Sequence, residues 1–308
     1  MENKCNDQQL RGRKMKLENL KHFIRQYPVV YGWLQKSKRN VNNYMISRFG
    51  LDYVEETINN GPIKGMKFIA AKRVSYSKWF WNGTFEKEMC ILLRKSISLY
   101  DICYDIGANL GYHALLMSDT AVDGHVYAFE PIPNVYNILK KNIDCNCKQN
   151  VTIVKKAVTC EVGKIQLGLD TTIDQAAQNF LTKEENRNMC ENIECDCTTL
   201  DRFVEAGNRP PSLIKLDVEG AEVDVLKGGR NVLMRYHPII FCEVHGRAAA
   251  DEVYKILCEY GYELFVVHNG VAPICSISEM PISMYEGHVF ARMKNKNKII
   301  KKKREKSS

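Results

Sequence analysis

From residue 99 onward the chain alternates short, solidly apolar runs with longer stretches in which apolar residues recur every three or four positions. Runs rich in β-branched and aromatic residues lie at Leu99–Ile106, His125–Glu130, Val151–Val158, Ser212–Val218, Pro238–His245 and Tyr262–His268, and they predict strands. Between them, Leu110–Ser118, Pro133–Asp144, Ala221–Arg230 and Ala248–Tyr260 carry helical spacing. Strands alternating with helices imply parallel strands joined by crossover helices, and continuous apolar runs imply a sheet covered on both faces. A last β-like piece, Gly287–Arg292, closes the patterned region. The expected class is α/β.

Ahead of residue 99 the pattern changes. Residues 1–60 are polar and mostly helix-like, with one apolar patch from Tyr27 to Trp33, and read as an N-terminal extension. Residues 61–98 read as a cap segment: a β-type stretch MKFIAAKRVSY, the segment KWFWNGTFEKE, then MCILLRKSI with helical spacing. Residues 99–293 form the expected core and 294–308 a basic tail.

Composition adjusts this picture in three places. No apolar run is long enough to span a bilayer, and no apolar segment follows the N-terminal charges, so a soluble, cytoplasmic protein is expected. The 12 cysteines are scattered through candidate strands and helices, which favours reduced thiols over a disulfide framework. The pairs Cys145/Cys147 and Cys195/Cys197 are spaced too closely for usual structural zinc, so no zinc site is expected. The net charge of +8 sits almost wholly in the tail, where Lys294, Lys296, Lys298, Lys301, Lys302, Lys303, Arg304 and Lys306 face only Glu305. Such a run is ordinarily solvated; the alternative is a weak electrostatic tether to an anionic surface. A nearly neutral body makes nucleic acid an unfavoured partner.

The sequence YDIGANLGYHALL puts Gly107 and Gly111 where the first core strand meets a helix. In open α/β sheets, ligands bind outside the carboxyl ends of strands, and glycines there let the backbone approach them. Glu130 ends the next strand, where a carboxylate can accept both ribose hydroxyls of a nucleoside-like ligand. A pyrophosphate binder wants G-x-G-x-x-G, whereas this loop reads D-x-G-x-x-x-G and opens on Asp105. S-adenosylmethionine has no phosphate, and its ammonium and sulfonium suit an acidic edge, while its carboxylate can use amides at the helix start. Asp105, Gly107, Ala108, Asn109, Gly111 and Glu130 are therefore the candidate cofactor-binding residues. Without Glu130, the same glycines would read as a tight turn with Asp105 as a helix cap.

Three blocks resemble the FkbM family of methyltransferases: GTFEKEMCILLRKSISLYDICYDIGANLGYHALL, VYAFEPIPNVYNILKKNI, and LDRFVEAGNRPPSLIKLDVEGAEVDVLKGGRNVLMRYHPIIFCEVH. They cover Gly83 to His245 and hold the family's D-x-G-A-N-x-G-Y, K-x-D-V-E-G-x-E and E-x-H motifs. Phe85 stands where the family usually has tyrosine. The resemblance implies a class I, Rossmann-like three-layer sandwich, with a seven-stranded, mostly parallel sheet whose last strand is antiparallel. It further implies S-adenosylmethionine as cofactor, Thr84 and Glu86 in a cap over it, and O-methylation of a sugar, glycan or other small polar metabolite. The segment Thr171–Asp196 matches no motif and is either a substrate loop or a polar surface insertion.

Methyl transfer to an alcohol needs the acceptor held in line and its proton removed. Asp217 and Glu219 end the strand LIKLDVEG and are expected at the same crevice, Asp217 contacting the acceptor or the methionine part of the cofactor. Glu219 and Glu222 are equally explained as acids stabilising a helix N-terminus. Glu243 and His245 end the following strand, two apart and so on one side, with His245 a candidate proton acceptor and His113 a weaker one. Asp217 and Glu243 carry oxygen donors that suit a divalent cation, but their spacing does not require one, and no metal site is expected. Two other readings compete: a nucleic-acid methyltransferase anchored by the lysine tail, and a cofactor-binding module without turnover.

Overall fold

A computed structural model describes residues 53–71, 77–170, 179–181, 190–267, 271–274, 276 and 287–294. The tail, most of the N-terminal extension and parts of Thr171–Asp196 lie outside the described residues. The elements are β1 (Tyr53–Thr57), β2 (Lys67–Ala71), α1 (Ser77–Asn82), α2 (Lys87–Ser96), β3 (Ile102–Ile106), α3 (Tyr112–Thr120), β4 (His125–Phe129) and α4 (Pro133–Cys145). There follow β5 (Val151–Val154), β6 (Ala157–Val158), β7 (Gly163–Asp170), β8 (Asn179–Leu181), β9 (Cys190–Thr198), α5 (Leu200–Glu205) and β10 (Leu213–Leu216). The rest are α6 (Glu222–Gly228), α7 (Arg230–Tyr236), β11 (Ile239–Val244), α8 (Arg247–Glu259), β12 (Tyr262–Val267), β13 (Val271–Ile274) and β14 (Gly287–Met293).

The main sheet runs β13-β12-β14-β11-β10-β3-β4-β5. From β11 to β5 all pairings are parallel, and β14 is inserted antiparallel between β11 and β12. This is the expected seven-stranded sheet; β13, which pairs antiparallel with β12, adds an eighth strand at its edge. Side chains alternate between two cores. Cys103, Val126, Ala128 and Leu213 pack with α2, α3 and α4, whereas Tyr104, Tyr127, Phe129 and Ile214 pack with α5 to α8. Helix α3 is buried from Tyr112 to Ser118, which is why its sequence shows little amphipathic contrast.

Several expectations are revised. The single strand Val151–Val158 is two strands, because the chain turns at Lys155–Lys156 and Ala157–Val158 leaves the main sheet to pair in parallel with β9. The helix Ala221–Arg230 is likewise two, α6 and α7, meeting at Gly228–Gly229; a Cβ at Gly228 would lie 2.2 Å from the Thr159 carbonyl oxygen. Part of the unassigned Thr171–Asp196 segment belongs to β9, which pairs antiparallel with β7 over eight residue pairs. Tyr53–Thr57, grouped above with the extension, pairs antiparallel with β2.

Two features tie the segment 53–96 to the core. Phe68, Phe80, Phe85 and Tyr112 form an aromatic cluster, with Phe85 centred 4.5 Å from Phe80 and 5.1 Å from Tyr112. Fully buried Asn142 on α4 accepts from the Ile69 amide at 2.6 Å and donates to the Ile69 and Leu110 carbonyls at 3.1 and 2.8 Å. This packing fixes the turn that ends at Glu86, whose φ of 40° is left-handed and uncommon for a residue with a side chain.

Candidate active site

The carboxyl ends of β3, β4 and β10 open on a cleft whose empty volume, including its mouth, is about 740 Å³. Gly107, Asn109, Glu130, Asp217 and Glu219 line it, so five of the residues singled out in the sequence converge there. An apolar wall is made by Ile132, Ala157, Val158, Ile165 and Leu167. That wall was missed in the sequence: a single strand is expected straight through the Lys155–Lys156 interruption, and the β7–β9 pairing that completes the wall has no marker in the apolar pattern.

The β3–α3 loop is shaped by backbone rather than by side chains. Gly107, Asn109 and Gly111 all have positive φ, and the Gly107 and Ala108 amides both donate to the Phe129 carbonyl, at 3.1 and 2.9 Å. A Cβ on Gly107 would sit 1.8 Å from the Asp217 carbonyl oxygen, so the two strand ends meet through that missing side chain. Buried Ala108 belongs to the apolar core, and Gly111 packs against Leu139.

Glu130 is buried, and its two oxygens accept the Asn109 and Ile132 amides at 3.1 and 2.9 Å. Each oxygen keeps a lone pair for a ligand hydroxyl. Burial pushes its carboxyl up to about 7, and the two amides offset part of that. Beside it, Asn109 Oδ1 is buried with no hydrogen-bond partner among the described residues.

Asp105 differs from expectation. It is fully buried behind the loop and faces Lys215 at 3.7 Å instead of lining the cleft, because β3 and β10 pair in the register that sets Lys215 directly beside it. Burial raises its carboxyl to about 6, against the opposing pull of Lys215. Lys215 Nζ also reaches Asp217 Oδ2 at 3.0 Å and the Gly107 carbonyl at 3.4 Å. Burial works against this ammonium, but Asp217 and Asp105 outweigh it and hold the pKa above the ordinary lysine value. One cation thus ties together two carboxylates and the loop backbone.

Beyond Asp217 lies a second group of residues. His245 Nδ1 is 2.8 Å from Glu222 Oε1, and its Nε2 is 3.3 Å from Glu219, 3.8 Å from Glu243 and 4.0 Å from Asp217. His288 Nε2 lies 3.3 Å from Glu243 and 3.6 Å from Glu86, and buried His113 lies 3.4 Å from Glu86. Glu86 therefore faces these imidazoles rather than the cleft. His288 was missed in the sequence: it lies outside the three motif blocks, and only the antiparallel β14 register, pairing it with Glu243, brings it in.

Burial alone would favour a neutral His245, but the hydrogen bond to Glu222 and the charge of Glu219 raise it to about 9. Against the same burial penalty, Glu243 and Glu86 raise His288 to about 10. A resting His245 accordingly holds a proton rather than accepting one, which revises its expected part as base. Burial, together with the charge of Asp217, raises Glu219 to about 8 despite His245, and burial keeps His113 neutral.

These shifts have one sign between pH 6.5 and 9. His245 and His288, with folded pKa values above their unfolded ones, contribute stability that is complete below about 6.5 and lost as pH rises. Glu130 and Glu219 keep protons in the fold that the unfolded chain has released, so their ionisation also costs stability on the way up to about 7 and 8. His113 contributes only below about 6.5. Thermal unfolding of the ligand-free protein should show Tm falling by about 5 °C or more from pH 6.5 to 9, for a loss on the order of 2 kcal/mol. A flat or rising Tm contradicts this charge arrangement.

Cys90, Cys103, Cys145, Cys147, Cys160, Cys195, Cys197, Cys242 and Cys258 are unpaired, and among the described residues neither C-x-C pair joins a group of metal-ligand geometry. No helix of the described residues is long and apolar enough to cross a membrane.

The Methyltransferase FkbM domain matches residues 105–264. The hexuronic acid methyltransferase AglP of Haloferax volcanii is 29% identical over 175 residues, which cover 56% of this chain and 68% of AglP. Methyltransferase 1 of Beauveria bassiana is 27% identical over 160 residues, covering 42% of this chain and 63% of that protein. The crystal structure of an FkbM methyltransferase from Methylobacillus flagellatus superposes with a TM-score of 0.44 at 16% identity, covering 63% of this chain and 44% of its own. The chain belongs to the FkbM family of methyltransferases.

Proposed function

We propose that the protein transfers a methyl group from S-adenosylmethionine to a hydroxyl oxygen of a sugar, a glycan or another small polar metabolite. The observation that carries this reading is the cleft, which has Glu130 at one side and Asp217 with Glu219 at the other. Its residues suit the cofactor: Glu130 offers two acceptor lone pairs to a ribose, the orphaned Asn109 Oδ1 lies beside it, and the apolar wall fits a purine face. The sugar acceptor is supported by the likeness to AglP, a hexuronic acid methyltransferase.

When bound, S-adenosylmethionine supplies a sulfonium methyl that passes to the acceptor oxygen by in-line displacement. The protein's part is alignment, proton removal and charge placement. Lys215 fixes Asp217 through Oδ2, and Asp217 Oδ1 lies 4.0 Å from His245 Nε2. Glu219 lines the cleft and, once ionised above about pH 8, takes the hydroxyl proton, while His245, 3.3 Å away, balances the carboxylate charge. The left-handed φ of 51° at Glu219 and the following Gly220 turn hold that side chain at the mouth of α6.

Calorimetry with S-adenosylmethionine and a radiolabelled transfer assay on neutral saccharides test the reading. Glu130→Ala should weaken cofactor binding by about tenfold or more, since it removes a charged acceptor. Glu219→Gln should bind cofactor within a few-fold of wild type and lose about 100-fold in transfer. No binding by wild type would remove the cofactor assignment; undiminished transfer by Glu219→Gln would remove the base.

A further inference from the structure

We infer that Asp217, Glu243 and His245 form a divalent-cation site at the acceptor end of the cleft. One donor atom from each lies within 4.8 Å of the other two, the spacing of ligands around a shared ion. The surroundings are those of a supported metal site rather than a chance cluster. A metal-bound imidazole normally gives its other nitrogen to a carboxylate, which fixes the ring and turns the free lone pair toward the ion. His245 is placed to do this once an ion displaces its Nε2 proton to solvent: Nδ1 meets fully buried Glu222 at 2.8 Å, and Nε2 points among Asp217, Glu219 and Glu243. Glu222 Oε1 is further held by the Gly220 amide, and its Oε2 has no hydrogen-bond partner among the described residues, an expensive arrangement for a carboxylate that does no more than pack. Asp217 is supported in the same way, with Oδ2 on Lys215 and Oδ1 turned to His245.

Charge points the same way. Even with Glu219 protonated, the four carboxyls of Glu86, Asp217, Glu222 and Glu243 face only the three cations Lys215, His245 and His288. Glu243 is 92% buried in its side chain and spans both imidazoles, Oε1 toward His245 and Oε2 toward His288. One nitrogen and two carboxylate donors suit manganese or magnesium better than a soft ion.

The inference rests on the methyl-transfer reading for its purpose. An ion here would bind the acceptor hydroxyl and lower its pKa. The reaction balance is unchanged: the C–O bond forms as the S–CH₃ bond breaks, the electron pair stays on sulfur, and the hydroxyl proton goes to Glu219.

The test is titration of the EDTA-treated full-length chain with Mn²⁺, followed by the loss of its free-ion electron paramagnetic resonance signal. One Mn²⁺ per chain should bind. Asp217→Asn and His245→Gln should each weaken binding at least about tenfold, Glu222→Gln about tenfold, and Glu86→Gln should leave it unchanged. No binding by wild type, or binding insensitive to Asp217→Asn and His245→Gln, overturns the site. Loss of binding in Glu86→Gln alone would place the ion on Glu86, Glu243 and His288 and likewise overturn it. S-adenosylmethionine calorimetry on the metal-free protein separates the two readings: normal cofactor binding without Mn²⁺ binding sinks only the cation site, and Mn²⁺ binding without cofactor binding sinks only the transferase assignment.

Discussion

Replacing Gly107 with alanine is expected to cost on the order of 4 kcal/mol of stability and to abolish cofactor binding, the largest effect of any single methyl group on the loop. Two penalties combine. At φ +78° a side chain is strained by about 1–2 kcal/mol, and the new Cβ would lie 1.8 Å from the Asp217 carbonyl oxygen. A backbone atom does not step aside as a side chain does, so β3 and β10 must separate at their carboxyl ends, where the cleft begins. Two companion substitutions isolate the causes. At Gly65, φ is +88° and nothing lies within 4 Å of a Cβ, so Gly65→Ala reports the strain alone, about 1–2 kcal/mol. At Gly111 the clash is with the Leu139 methyl at 2.5 Å, which can rotate, so the loss should fall between the two. Urea unfolding of the three variants checks the order. A Gly107→Ala protein as stable as Gly65→Ala would show that the strand ends are not in contact.

Lys215→Met should be almost as damaging, and its loss should depend on pH. Lys215 is 3% exposed and is the charge partner of both Asp105 and Asp217. Removing one member of a buried ion pair costs about 3–5 kcal/mol, because the remaining charge stays buried without compensation. Asp105 already sits at about 6 with the lysine in place and is pushed higher once it is gone. The variant therefore regains stability as acid neutralises Asp105. The difference from wild type should be near its full size at pH 8 and smaller by about 1–2 kcal/mol at pH 5.5. Equal losses at both values, or a loss under about 1 kcal/mol, would mean that the ammonium does not compensate these carboxylates.

The sequence made the sheet readable because parallel strands covered on both faces are written as uninterrupted apolar runs, and Leu99–Ile106 and Pro238–His245 each place a strand to within a few residues. It could not show where such a run changes sheet. Between Val151 and Val158 only the Lys155–Lys156 pair interrupts the run, and it does not say that Ala157–Val158 leaves the sheet to pair with β9, forty residues away. The site divides in the same manner. Gly107, Asn109, Glu130, Asp217 and Glu219 announce themselves at strand ends, the one place where local sequence and ligand geometry coincide. Lys215 opens the K-x-D-V-E-G-x-E motif inside an apolar strand, but only the register with β3 shows it to be the partner of Asp105. His288 begins a strand with no motif of its own and gains its meaning only beside Glu243.

The central position of β14 also sets an order of assembly. It is the last strand among the described residues, yet it lies between β11 and β12, so those two strands do not pair with each other and are joined only once residues 287–293 have been made. A nascent chain released from the ribosome before that point presents two unpaired, apolar strand edges facing each other, the kind of surface that recruits chaperones or other chains. The strand that closes this gap also delivers His288 beside Glu243. Pairing of β14 between β11 and β12 and completion of the imidazole–carboxylate cluster are thus a single event.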